Sequence, residues 1–297
     1  MSDYRLISSM EEIVDEVTKE IIVDTSTVNL IKRYQISRED IKNNSIRDCT
    51  EEASKWASED TPSDFFFSHG EYRKGGLEYI SNELIQKKTT NRAMYSLVSN
   101  SMIVDSADKP IPSFMIFQCL FESEGSNTLY CNIYFRALEV STFFRINLEE
   151  IRQNLQKLIE DKVSFEKVNL LIIAARAHHK HDFIPLKKPK IDTLTGIQIH
   201  NIVIEKNWQE LAKLLREKAK AQSVIQLQSL YHLQESFEYK SNNISSNLKR
   251  ILIKCIDLSN ELMLLRQDHS HSEELNNVSK QLNYNIINMA EEVEKLN

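Results

Sequence analysis

The chain has 297 residues, of which 41% are apolar and 27% charged, so it can fund a sizeable core and is not a disordered polymer. Its formal net charge of -6 argues against a general nucleic-acid binder, which needs a basic face. Only 5 glycines occur where ordinary usage gives about 20, and neither GxGxxG nor GxxxxGK[ST] is present, which excludes the glycine-rich phosphate loops.

The opening residues, MSDYRLISSMEEIVDE, are acidic and carry no apolar leader core, and no apolar run nears the ~20 residues of a membrane span. The expectation is a cytoplasmic protein without a membrane partner, whose N-terminal stretch is helical. Cys49, Cys119, Cys131 and Cys255 are scattered with no CxxC pair, as expected of unpaired buried thiols. Every glycine and proline lies between residues 62 and 196. The centre therefore reads as turn-rich α/β and residues 197–297 as long helices.

Ser113–Phe121 (SFMIFQCLF) and Thr128–Arg136 (TLYCNIYFR) flank a Glu-Ser-Glu-Gly-Ser-Asn link and predict an antiparallel hairpin. Within Leu138–Asp161, the residues Leu148, Ile151, Leu155 and Leu158 share one helical face. Val168–Ala174 (VNLLIIA) predicts a buried strand, and Ile197–Ile204 a last strand. Three apolar stripes follow at helical spacing. They run through Ile225, Leu230, Leu233 and Phe237; through Ile244, Leu248, Ile251, Cys255, Leu258, Leu262 and Leu265; and through Leu275, Val278, Leu282, Ile286, Met289 and Val293. Tyr239–Asn243 and Gln267–Ser272 connect them. The pattern predicts a helical hairpin, a three-helix appendage or a coiled coil whose stripes need a covering surface.

Polar residues inside the apolar centre carry the chemistry. Arg136 ends a strand, and its planar fork suits phosphate oxygens; pairing with Glu139 is the structural alternative. Asn147 offers a donor and an acceptor to a pyrimidine edge, or simply pins the helix. His178 can meet a sugar hydroxyl. A metal is not expected at His178, His179 and His181, where Asp182 is the single nearby carboxylate. Lys187, Lys188 and Lys190 read as a solvated loop.

At these residues the chain resembles thymidylate synthase. Leu129–Asn147 (LYCNIYFRALEVSTFFRIN) resembles the family signature LxCxLYQRSxDxFLGxPFN, with Tyr134, Arg136 and Asn147 in register. Pro112–Gln118 (PSFMIFQ) resembles the PCHxxFQ segment of the catalytic cysteine. Gly70–Val98 resembles YGxxxR…DQLxxxIxxLKxxPxSRRxIxSxW, and Leu171–Phe183 resembles the strand and GDxHxYxNH segment. Together they span roughly residues 50–205.

The resemblance implies an α/β (α+β) fold with a bent mixed sheet over residues 1–205, followed by a helical interaction extension over 206–297. It implies that Arg136 binds the nucleotide phosphate, that Arg92 reaches it from a partner subunit, and that Asn147 reads the pyrimidine. His178 then lies near the ribose, and Gln118 is a buried glutamine of the same sheet. A homodimer follows.

The departures bear on catalysis. Ser113 stands at the nucleophilic cysteine, and a serine needs a base of its own. Asn91 and Ala137 replace family residues at the phosphate site, Lys180 stands where a ribose-binding tyrosine is usual, and the family's tyrosine-glycine reads His69-Gly70. Phe143 replaces a glycine lining the folate pocket, and Glu139 an aspartate that contacts folate.

Three readings follow. The first is a catalytically inactive relative that binds a dUMP- or dCMP-like nucleotide as a sensor or regulator and assembles through its C-terminal helices, with no cofactor. The second is a protein-interaction scaffold with a vestigial pocket, its partner held by residues 206–297, as in an accessory subunit of a bacterial or phage system. The third is an active pyrimidine-nucleotide C5-transferase, for which alone folate is the cofactor.

Overall fold

The structure is a computed structural model that describes residues 4–105, 110–180, 187–220, 226–239, 244–268 and 272–296. In chain order its first elements are β1 (Arg5–Ile7), α1 (Glu11–Glu20), β2 (Ser26–Ser37), α2 (Arg38–Asn43), a short 3-10 turn (Arg47–Cys49) and α3 (Thr50–Ala57). Then come α4 (His69–Arg73), α5 (Gly76–Gln86), β3 (Met94–Ser96), α6 (Asn100–Asp105), β4 (Phe114–Phe121), β5 (Thr128–Phe135) and β6 (Leu138–Glu139). The rest are α7 (Phe143–Glu160), β7 (Lys167–His178), α8 (Lys190–Thr193), α9 (Gly196–Ile204), α10 (Trp208–Lys218), α11 (Gln228–Tyr239), α12 (Ser246–Asp268) and α13 (Glu273–Glu294).

The chain divides into two compact units. The first holds Met1–Pro62, Phe67–Ile103 and Ile111–Pro185, and the second Ser63–Phe66, Val104–Pro110 and Leu186–Asn297. The division after Pro185 precedes the boundary at 205 expected from sequence, because α8 and α9 share the core of the later helices.

The first unit is a mixed α/β layer with strand order β1-β2-β7-β5-β4-β3, and β6 joins β7. β4 and β5 form the expected antiparallel hairpin, from Phe114↔Phe135 to Phe121↔Leu129. β5 and β7 are parallel, from Thr128↔Lys167 to Phe135↔Ala174, and α7 is the crossover between them. The N-terminal stretch departs from expectation: beside α1 it supplies β1 and the long β2, antiparallel to β7 across almost its whole length. Leu30, Tyr34 and Ile36 of β2 are buried, at strand period.

One sheet face, with Cys131, Ile133 and Phe135 of β5 and Leu170, Ile172 and Ala174 of β7, is fully buried. Phe135 meets Phe144 of α7 edge-on, and α1, α2, α3 and α5 pack around α7. Leu148, Ile151, Leu155 and Leu158 are buried, as their spacing predicts. The opposite face presents half-buried side chains, among them Ile116, Tyr130, Tyr134, Leu171 and Ile173, and the exposed Ile31.

The second unit is helical. Ile197–Ile204, expected as a strand, is α9. Thr195 and Gln198 form a reciprocal capping box at its start, and Ile199 and Val203, four apart, are its buried residues. Its isoleucines suggest a strand by composition, yet Ile197 is 74% exposed. The three stripes are buried against one another and against α8–α10, so they find their cover inside the unit. Of the stripe residues, Ile225 lies outside the described residues. Lys218 of α10 is buried and bonds both carboxylate oxygens of Asp192 at 2.7 and 2.8 Å, which ties α10 to α8.

Candidate functional site

Ser113, Arg136 and His178 lie at the end of the sheet where parallel β5 and β7 finish, the edge at which open α/β sheets bind ligands. Ser113 immediately precedes β4 and Arg136 immediately follows β5. The hairpin ladder joins them, with the Arg136 backbone N–H donating to the Ser113 carbonyl at 2.9 Å. The Arg136 guanidinium donates to the carbonyls of Pro112, at 3.1 Å, and Ile111, at 2.9 Å. These bonds fix the fork while the residue stays exposed. His178 ends β7 and pairs in register with Glu139 of β6.

Glu139 is not the partner of Arg136. It is 4% exposed, and its carboxylate accepts the backbone N–H groups of Ser141, Thr142 and Phe143 at 2.9–3.0 Å. It thereby satisfies donors that the start of α7 leaves open, with a charge that suits the helix dipole. Burial pushes its carboxyl up, but the bonds from Ser141, Phe143 and Thr142 outweigh this and hold it below the usual range.

Asn147 lies one turn into α7, beyond the capping position at Thr142, so it does not cap the helix. It is 1% exposed, and its Oδ1 is buried with no hydrogen-bond partner among the described residues. Phe143, Asn147, Glu150 and Asn154 follow at spacings of four, three and four and so share one face of the helix. Glu150 is also buried. Its Oε2 lies 2.7 Å from Nδ1 of His69, while its Oε1 has no hydrogen-bond partner among the described residues. An unpaired buried acceptor costs about 1–3 kcal/mol, so two on one helical face are an unusual concentration.

His69 is placed by Gly70. A side chain at that glycine would meet the backbone carbonyls of Ala57 and Ser58 at 2.2 Å, so α4 approaches the end of α3 as closely as a chain can. The His69 ring then lies 5.1 Å from Trp56 and 5.6 Å from Phe114, and Trp56 lies 5.0 Å from Phe143. Further along the stripe, Arg73 donates to Asn154, whose Nδ2 donates to the Tyr95 hydroxyl at 3.1 Å.

The remaining expected residues lie elsewhere. Gln118 is half-buried on the open sheet face rather than in the core. It donates to the Asn91 carbonyl at 3.1 Å and accepts from Asn132 at 3.3 Å. Arg92 is exposed just before edge strand β3. Among the described residues, no histidine or carboxylate hydrogen-bonds the Ser113 hydroxyl, and no cluster of three metal-ligating side chains occurs; His181 and Asp182 lie outside them. Lys187 and Lys188 sit over the rings of Phe65 and Phe66 rather than standing free in a loop. Cys119 and Cys131 face each other across the hairpin with sulfurs 3.9 Å apart. Both are fully buried, and burial, then the bond with Cys119, pushes the Cys131 thiol well up.

The sequence singles out Arg136, Asn147 and His178, offers His69 only as a departure from the family pattern, and does not single out Glu150. Nor does it single out the buried Glu149–Arg152 pair, joined by two 2.8 Å bonds, on α7. The run LEEIRQN looks like the polar side of a surface helix. It is buried here because neighbouring helices surround α7. Fold and site together define a mixed α/β protein with a helical second unit and a polar constellation at the C-terminal edge of its parallel strand pair. No family model matches the chain, and no curated protein matches it.

Proposed function

We propose that the chain is a catalytically inactive, thymidylate synthase-like protein that binds a pyrimidine nucleotide in a sensor or regulatory role. The observation that carries this reading is Asn147, a buried amide with an unpartnered Oδ1 on the helix that begins just past Arg136. Arg136 is the phosphate ligand, its fork oriented by two main-chain carbonyls. His178 lies at the same sheet end for the sugar.

Ser113 in place of the cysteine supports loss of covalent catalysis, since a serine hydroxyl without a base is a poor nucleophile. The buried, facing thiols of Cys119 and Cys131 are poor replacements. The half-buried apolar and aromatic side chains of the open sheet face support a homodimer formed there, with Arg92 at the margin of that face. Calorimetric titration with dUMP, dCMP, dTMP and their ribonucleotides, with Arg136→Ala as control, tests the reading.

A second reading, a scaffold that holds a protein partner through its C-terminal helices, draws on outward apolar residues of the second unit. Ile253 and Leu264 of α12 are 50% and 64% exposed, and Tyr284 of α13 is 65% exposed. Against it, the buried stripes of these helices are already covered.

A further inference from the structure

The two orphaned acceptors on α7 bear on which base the site takes. Glu150 is wholly buried, and its Oε2 is engaged by the His69 ring at 2.7 Å. That contact turns the other oxygen, Oε1, into a fixed acceptor with no partner, and Oδ1 of Asn147 stands one helical turn before it, also unpartnered. A carboxylate oxygen and an amide oxygen are both acceptors, so the partner they lack is one that brings hydrogens. The two pyrimidine types differ in just this respect. Cytosine carries an amino group at C4, with two N–H donors. Uracil carries a carbonyl there, whose lone pairs would face the carboxylate oxygen, and its one edge donor, N3–H, can serve only one acceptor.

We infer that the site prefers a cytosine nucleotide over a uracil one, with Glu150 accepting from the 4-amino group and His69 holding Glu150 in place. The inference rests on the pyrimidine-nucleotide reading above. Phe143 is the half-buried residue of the same helical face, 5.0 Å from Trp56.

The test is calorimetric titration of the full chain with dCMP, dUMP and the 2-pyrimidinone deoxynucleotide, which lacks the 4-amino group and adds no bulk. The expected result is dCMP binding at least about tenfold tighter than either of the others, with the preference erased in Glu150→Gln. The comparison of the three ligands on the natural chain stands even if that variant fails to fold. Equal or tighter binding of dUMP overturns the cytosine preference and leaves the nucleotide reading intact. Tight binding of the 2-pyrimidinone nucleotide overturns the role of the amino group, and a preference that persists in folded Glu150→Gln overturns the role of Glu150. Absence of binding by all three overturns the nucleotide reading and this inference together.

Discussion

Glu139 sits beneath the first turn of α7 and takes three backbone N–H groups with one carboxylate. Its folded-state carboxyl is held below the ordinary value of 4.5. A group depressed in this way adds stability above its unfolded value and loses it as pH falls through the folded one. Glu139→Gln should therefore destabilise the chain by about 1–2 kcal/mol at neutral pH, as lost helix caps do. The gap to the natural chain should close as pH drops below about 4, and urea unfolding across pH measures it. A difference that persists at low pH would show that shape rather than charge matters at this position. The spacing of Arg136 and Glu139 in the sequence suggests an ion pair equally well. Only the position of the α7 start shows that the carboxylate is spent on main-chain donors, so this part of the site was not legible beforehand. Arg136 and Asn147 stand out in the sequence because a guanidinium and an amide offer the bonds that a nucleotide needs.

At the scale of elements, α4 depends on one atom's absence. Gly70 brings α4 onto the carbonyls that close α3, and this approach sets His69 against Trp56 and Glu150. Gly70→Ala should cost about 1–3 kcal/mol, as overpacking does, and should perturb the near-ultraviolet circular dichroism of the Trp56 environment. An unchanged spectrum and midpoint would contradict the placement. The hairpin β4–β5 and the strand β7 were readable because prolines, a glycine-containing link and a continuous apolar run mark them. The helix α9 was misread from its isoleucines, although its capping box, Thr195 to Gln198, was present in the letters. The strand β2 escaped notice because Val28, Ile31 and Arg33 put apolar and charged side chains alike on exposed positions, which blurs the alternation.

At the scale of the molecule, two units each have their own core, and the second accounts for all three apolar stripes. That removes the main reason to seek a partner for the helices and moves attention to the sheet. Its open face carries Tyr130, Tyr134, Leu171 and Ile173 half-buried beside exposed Ile31, interleaved with Gln118 and Asn132, and it is the face on which the proposed homodimer is tested. The natural chain should run as a dimer in light scattering after size exclusion, and Ile173→Glu should convert it to a folded monomer. A monomeric natural chain would contradict the sheet-face assembly. The central claim is nucleotide binding at the end of β5 and β7, and calorimetric titration of the natural chain beside Arg136→Ala tests it most directly. A pyrimidine deoxynucleotide should bind with a Kd on the order of micromolar, about -8 kcal/mol, and this binding should be lost in the variant. No heat of binding across the panel, or equal binding by Arg136→Ala, would contradict it.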